Sequence, residues 1–234
     1  MGNRKKITSI ILNCYDFNKV LRYMTTRALT NIRRFTPEGE YELIVIDNEP
    51  IEKIPDPYKI IRLDQEKYIV NKEDKGRCAS YIQGVEVAEG DYFCFTENDV
   101  FVHEGWLETL RYYLENDILD CVFPDQFGRD RKTTLKNYKL PKDHYLPGTG
   151  EAGLFMITRE AYFKSGGWDE RFKSIYCDKP FYLRMGNAGA RVGMTLRTYI
   201  THIAGATYFT LMEQKKKYFR ELEREEGRLL KEYD

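Results

Sequence analysis

The stretch Tyr92-Phe93-Cys94-Phe95-Thr96-Glu97-Asn98-Asp99 sets four consecutive apolar side chains directly before a polar turn that carries two carboxylates. An apolar run of this length between turn signals reads as a strand buried on both faces. Gly90, just upstream, ends a helical pattern in which Cys78, Ala79, Ile82, Val85 and Ala88 recur at the helical period after Asp74, a residue suited to cap it. Helix, break, buried strand and acidic turn thus follow one another within a short span.

The same alternation extends in both directions. Ile7 to Leu12 is a second buried strand, followed by a helix carrying Val20, Leu21, Met24, Ala28 and Ile32, with Asp16 as the expected cap. Pro37-Glu38-Gly39 breaks the chain before the strand Tyr41 to Ile46, which ends at Asp47-Asn48. A proline-containing loop from Ile51 to Pro57 leads to an expected strand at Tyr58 to Leu63. Downstream, the pattern predicts a helix over Gly105 to Leu114, a strand at Leu119 to Phe123 and an irregular segment from Pro124 to Gly150. A strand at Leu154 to Ile157, a short helix at Glu160 to Lys164 and a turn at Gly166-Gly167 come next. A helix from Asp178 to Gly186, one or two strands between Arg191 and Thr201, and a long helical tail from Tyr208 complete the chain.

This alternation implies an α/β fold with a mostly parallel central sheet flanked by helices. Residues 1–206 read as one domain, and 207–234 as a helical extension packed on it or at an oligomer contact. In such sheets ligands bind beyond the carboxyl ends of the strands. Asn13, Asp47 and Glu97 to Asp99 all fall there.

Composition sets further bounds. The 234 residues are 42% hydrophobic, enough for a core, and 37 basic residues balance 37 acidic ones. That balance argues against a nucleic-acid partner held by bulk positive charge. No stretch has the length of a membrane span. The apolar run after the basic start is too short for a signal peptide, and Lys6 stands where a myristoylation site needs Ser or Thr. The five cysteines are scattered, without a C-x-x-C pair, and read as reduced thiols in a cytoplasmic protein.

Charge is balanced overall but unevenly distributed. Asp91 to Leu110 holds five acids and no Lys or Arg, whereas Arg129 to Asp143 holds six basic residues against two acids. Carboxylates two residues apart in a tight turn can face one hard cation that bridges to a diphosphate; acids also favour solvated turns and first helical turns. The basic segment, beside the Gly148-Thr149-Gly150-Glu151 turn, reads either as a solvated loop or as one that closes over a diphosphate or anionic acceptor. No G-x-G-x-x-G follows the first strand and no G-x-x-x-x-G-K-[ST] occurs, which removes dinucleotide-oxidoreductase and P-loop readings. In Gly166-Gly167-Trp168-Asp169-Glu170, an aromatic beside acids suits a sugar. Asp178, at a helix start, is either a cap or a general base. His202 is either a metal ligand or a structural histidine; His103 and His144 have no evident partner in the sequence.

Read together, these segments resemble the family 2 glycosyltransferases with a GT-A fold. The resemblance spans about Ile7 to Gly205 and is carried by Gly84 to Tyr92 leading into Phe95 to Asp99, by Gly153 to Arg159 leading into Gly167-Trp168-Asp169-Glu170, and by Cys177-Asp178, Arg184 and His202 in that order. It implies transfer of a sugar from a nucleotide diphosphate sugar to a glycan, lipid-linked or other hydroxyl acceptor, with Mn2+ or Mg2+ as cofactor. Under it, Asp99, Glu97 and His202 are the metal ligands and Asp178 the base of an inverting reaction. Asn13, Tyr15, Asp47, Lys75, Glu97, Asn98 and Asp99 bind the nucleotide sugar, and Trp168, Asp169 and Glu151 the acceptor. The chain departs from the family pattern in three places. Glu97 replaces the usual first aspartate, Cys177 the glutamate before the base, and Ser80-Tyr81-Ile82 the usual Ala-Arg-Asn, for which Lys75 or Arg77 would have to compensate. Two alternatives are a GT-A-like domain that binds nucleotide or glycan without turnover, and a sugar-phosphate nucleotidyltransferase. The latter needs a glycine-rich loop where Asn13-Cys14-Tyr15-Asp16 stands. The tail, with its aromatic and leucine stripe, reads as packed on the domain, paired with another chain or set on a membrane surface.

Overall fold

The computed structural model describes residues 6–50, 60–126, 141–150, 153–203 and 205–233. The amino-terminal half runs β1 (Thr8–Tyr15), α1 (Lys19–Phe35), β2 (Tyr41–Asn48), β3 (Lys67–Asn71), α2 (Arg77–Val87) and β4 (Tyr92–Glu97). It continues through β5 (Val100–Phe101), α3 (Trp106–Glu115), β6 (Cys121–Asp125), β7 (Leu146–Pro147), β8 (Leu154–Thr158) and α4 (Arg159–Lys164). The chain ends with α5 (Asp178–Asn187), β9 (Val192–Tyr199), β10 (Thr201–His202), α6 (Ala206–Leu229) and a 3-10 turn at Leu230–Glu232.

Eight strands form one sheet in the order β3-β2-β1-β4-β8-β6-β9-β7, while β5 and β10 pair separately. The pairings β1–β2, β1–β4, β2–β3 and β6–β9 are parallel; β4–β8, β6–β8 and β7–β9 are antiparallel. The central sheet is therefore mostly parallel, with β8 inserted in the opposite sense beside β4.

Successive residues of a strand face opposite sides of the sheet, and here both sides are covered. Ile10, Leu12, Leu43, Val45, Cys94 and Met156 pack against Ala28, Leu29 and Ile32 of α1 and Trp106, Leu107 and Leu110 of α3. Ile11, Ile44, Ile46, Phe93, Phe95 and Phe155 pack against Cys78, Tyr81 and Val85 of α2 and Phe181 and Met185 of α5. Each such large side chain, fully buried, stabilises the fold by about 1.5–3 kcal/mol. All five cysteines are buried and free. Among the described residues no helix is long and apolar enough to cross a membrane.

Three local expectations are corrected. Asn18, not Asp16, caps α1, accepting from the amides of Val20 and Leu21, while Asp16 is fully buried. The third strand is Lys67–Asn71; residues 60–66 form no strand, and 51–59 lie outside the described residues. Gly76 is the cap position of α2, with Asp74 accepting from the Gly76 amide at 2.8 Å rather than capping the helix itself.

Candidate active site

β4 ends at Glu97, and the turn Asn98-Asp99 leads straight into β5. Antiparallel pairing of β5 with β10 sets His202 opposite Val100, and the Ile203 amide donates to the Asp99 carbonyl at 3.0 Å. Two segments a hundred residues apart are thereby fixed side by side. The ligating atoms of Glu97, Asp99 and His202 lie within 4.8 Å of one another, with His202 Nε2 at 3.5 Å from Asp99 Oδ1. Gly153 makes room for the imidazole, since a Cβ there would meet His202 Nδ1 at 2.6 Å. Asn98 points away from this cluster: it donates to Thr25 Oγ1 at 2.9 Å, and Thr25 donates to Asp16. Asn98 thus anchors the turn to α1.

Burial and the charge of Asp99 raise the Glu97 carboxyl above its ordinary range, while Arg77 opposes the rise. Two carboxylates and an imidazole this close form an oxygen-rich donor set that suits Mn2+ or Mg2+, and a divalent ion would relieve their repulsion.

Arg77 stands at the start of α2 behind Gly76, which has φ +85° and whose Cβ would meet the Lys173 backbone at 2.7 Å. Only glycine allows this approach. The Arg77 guanidinium pairs with Glu97, donates to Asp178 Oδ2 at 2.7 Å and donates from Nε to Cys177 Sγ at 2.9 Å. Burial works against its charge, but Asp178, Cys177 and Glu97 outweigh that cost and hold it protonated. Asp178, the first residue of α5, is thereby joined to the carboxylate turn.

Beside this cluster the strand ends carry a row of amides. Asn71 donates to Asn48 Oδ1 at 2.8 Å, and Asn48 donates to Ser80 Oγ at 2.6 Å and Asn13 Oδ1 at 3.2 Å. Ser80, which replaces the usual family residue on α2, therefore has a defined polar role. Tyr15 donates to Glu49 at 2.7 Å and stacks on Phe17. Asn13, Tyr15, Asn48, Arg77 and Glu97 line a cavity of about 100 Å³.

Other residues singled out in the sequence lie elsewhere. Asp47 is buried and accepts from Arg22 at 2.8 Å; Arg22 also contacts Asp16 at 3.1 Å. Lys75 is exposed, two residues from Arg77. Trp168 is buried, stacked on Phe181 at 4.2 Å and Tyr81 at 5.1 Å, so both neighbours come from the core. Asp169 binds Arg171 and Tyr233, which together hold its carboxyl down at about 2 against the opposing effect of burial. His103 lies 3.0 Å from Thr201 Oγ1 and stacks on Tyr199. Tyr113 donates to the His144 carbonyl at 2.6 Å. Glu151 and most of the basic segment fall outside the described residues.

The tail contributes what the sequence did not reveal. A second cavity of about 560 Å³ is lined by Arg77, Glu97 and Asp99 on the domain and by Phe219, Arg220 and Glu223 on α6. Further along α6, Glu226 is fully buried. A third opening, of about 500 Å³, is lined by Thr149, Tyr176, Asp178, Lys179 and Tyr182.

A mostly parallel sheet with an acidic turn beyond β4 and a histidine delivered by β10 defines the GT-A class of α/β fold. The chain belongs to glycosyl transferase family 2, whose profile matches residues 9–177. It is similar to GalNAc-T7, solved with UDP, GalNAc and Mn2+ (TM-score 0.64, 14% identity, 86% of this chain and 44% of that one). It is also similar to mannosyltransferase PcManGT from Pyrobaculum calidifontis, solved with GDP-Man and Mn2+ (TM-score 0.65, 15% identity, 90% and 61%). By sequence it is 29% identical over 119 residues to polypeptide N-acetylgalactosaminyltransferase 14 of Homo sapiens, which covers 50% of this chain and 21% of that protein. It is 22% identical over 146 residues to the putative glycosyltransferase EpsH of Bacillus subtilis, covering 59% and 41%. The chain thus spans less than half the length of either relative.

Proposed function

We propose that the protein transfers a sugar from a nucleotide diphosphate sugar to an acceptor hydroxyl, with inversion at the anomeric carbon and in dependence on Mn2+ or Mg2+. The observation that carries this reading is the convergence of Glu97, Asp99 and His202, with Asp178 joined to the same cluster through Arg77. Family membership and the Mn2+-bound, nucleotide-bound structural neighbours support it.

In this reading Glu97, Asp99 and His202 would hold the divalent ion, which would supply positive charge to the departing diphosphate. Asn13 and Tyr15 line the nucleotide side, Asn98 fixes the turn, and Asp47 braces the end of β2 from beneath. The Arg77 guanidinium places a fixed positive charge beside the carboxylates and orients Asp178. Asp178 accepts the proton of the acceptor hydroxyl as that oxygen attacks. Its carboxylate borders the opening lined by Tyr176, Tyr182 and Thr149, which gives the acceptor a path with aromatic walls.

A thermal-shift panel of UDP- and GDP-sugars with Mn2+ tests the reading. A donor should stabilise the wild type only when the metal is present, and Asp99→Ala should remove that effect. Metal-dependent stabilisation that survives in Asp99→Ala contradicts the assignment.

A further inference from the structure

We infer that Glu226 of the tail helix is a positioning residue for the Arg77–Asp178 pair, so that α6 is part of the catalytic apparatus. The inference rests on the functional reading above for the role of Asp178, but its structural basis is independent of it. Glu226 Oε1 accepts from the amides of Lys173 at 2.7 Å and Ser174 at 2.8 Å, and Oε2 from those of Ile175 at 2.9 Å and Tyr176 at 2.7 Å. Four consecutive amides converge on one fully buried carboxylate. These bonds saturate its acceptor sites and are charge-assisted, the stronger kind.

The segment so gripped leads directly into Cys177 and Asp178. Its carbonyl side is held from the opposite direction. Lys173 O accepts the Arg77 amide at 2.5 Å, and the Cys177 thiol donates to Ser174 O at 3.2 Å while accepting from Arg77 Nε. Residues 173–176 are thus held by α6 through their four amides and by the start of α2 through the Lys173 carbonyl and the Arg77–Cys177 contact. Removing the Glu226 carboxylate takes the shared acceptor from four partly buried amides and so releases the segment from its fixed position. Because Gly76 lies against Lys173 with no spare room, that movement reaches Arg77 and Asp178 together. Elsewhere on the helix, Leu222, one turn before Glu226, is 4% exposed, and Tyr218, two turns before, reaches Asp74 at 3.5 Å.

Glu226→Ala and Glu226→Gln test this, with Leu222→Ala as a variant that weakens the same helix without touching the clamp. Two readouts are taken: alkylation of Cys177 in the folded protein, located by peptide mass, and steady-state kinetics with a donor that stabilises the wild type. Cys177 is 1% exposed in the intact protein. In both Glu226 variants it should become alkylated at least about tenfold faster, and kcat should fall about 100-fold with the donor KM within about threefold, as expected when reacting groups are misplaced by about an ångström. Leu222→Ala should lose thermal stability while keeping kcat within about threefold, in line with a packing defect remote from the pair. Protection of Cys177 in Glu226→Ala, or full kcat despite its exposure, overturns the inference. If the wild type turns over no donor, the functional reading fails instead, and Cys177 alkylation alone decides whether Glu226 sets the segment.

Discussion

Arg77 Nη2 donates to Asp178 Oδ2 at 2.7 Å, joining the start of α2 to the first residue of α5 across 101 positions of sequence. Through the same guanidinium the pair extends to Glu97, so the two carboxylates share one cation. A lysine at this position keeps the charge but cannot reach Glu97, Asp178 and Cys177 at once. Arg77→Lys should therefore fold and bind metal, yet lose about 10- to 100-fold in kcat through misplacement of Asp178. Steady-state kinetics at saturating donor check this; kcat within twofold of wild type would show that the fork geometry is dispensable.

Gly153 sits where a side chain would press on His202. A methyl group there would meet Nδ1 at 2.6 Å, tighter than carbon and nitrogen tolerate. Gly153→Ala should displace the imidazole and weaken Mn2+ binding by about 10- to 100-fold, the usual cost of disturbing a residue that orients a ligand. Calorimetric titration with Mn2+ alone measures it. An affinity equal to that of His202→Ala would mean that the histidine is fully displaced, and an unchanged affinity would remove His202 from the ligand set.

The buried group around Arg22 makes a pH prediction. Burial first, then the neighbouring charge of Asp47, push the Asp16 carboxyl up to about 7. An unfolded aspartate titrates near 3.9, so between about 4 and about 7 the folded protein binds a proton that the unfolded chain has released. Stability from this group is present below that window and is lost as pH rises through it, with a slope approaching about 1.4 kcal/mol per pH unit. Asp16→Asn should remove the slope, so its melting temperature relative to wild type should climb from about pH 4 to about pH 7. Parallel profiles across that range would contradict the assignment.

The parts of the fold that were legible in the sequence are those where local pattern and tertiary role agree. β1, β2 and β4 sit inside the sheet, so their apolar runs are continuous and stand out. β3 is an edge strand with Lys67 at one end, Asn71 at the other and Val70 47% exposed, and its mixed pattern was outweighed by the more apolar segment before it. Asp16 carries the signature of a helix cap, yet Asn18 caps α1 because Asp16 is drawn inward by Arg22 and Thr25, neither of which local sequence identifies as its partner. The acidic turn, His202 and Asp178 could be singled out because a family resemblance orders them. The clamp of Glu226 could not, since its four bonds are to backbone amides about fifty residues away and leave no side-chain pattern. Trp168 looked like a sugar platform because an aromatic beside acids fits one, whereas its faces are taken by Phe181 and Tyr81.

The central claim is that Asp178 takes the acceptor's proton at a metal–diphosphate site built by Glu97, Asp99 and His202. The most direct test is release of nucleoside diphosphate from a stabilising nucleotide sugar, with Mn2+ and a hydroxyl acceptor, by wild type and by Asp178→Asn. The account predicts that the variant folds and binds donor and metal as the wild type does, but transfers about 100- to 10,000-fold more slowly, the contribution expected of a general base. Transfer by Asp178→Asn at near-wild-type rate would contradict it.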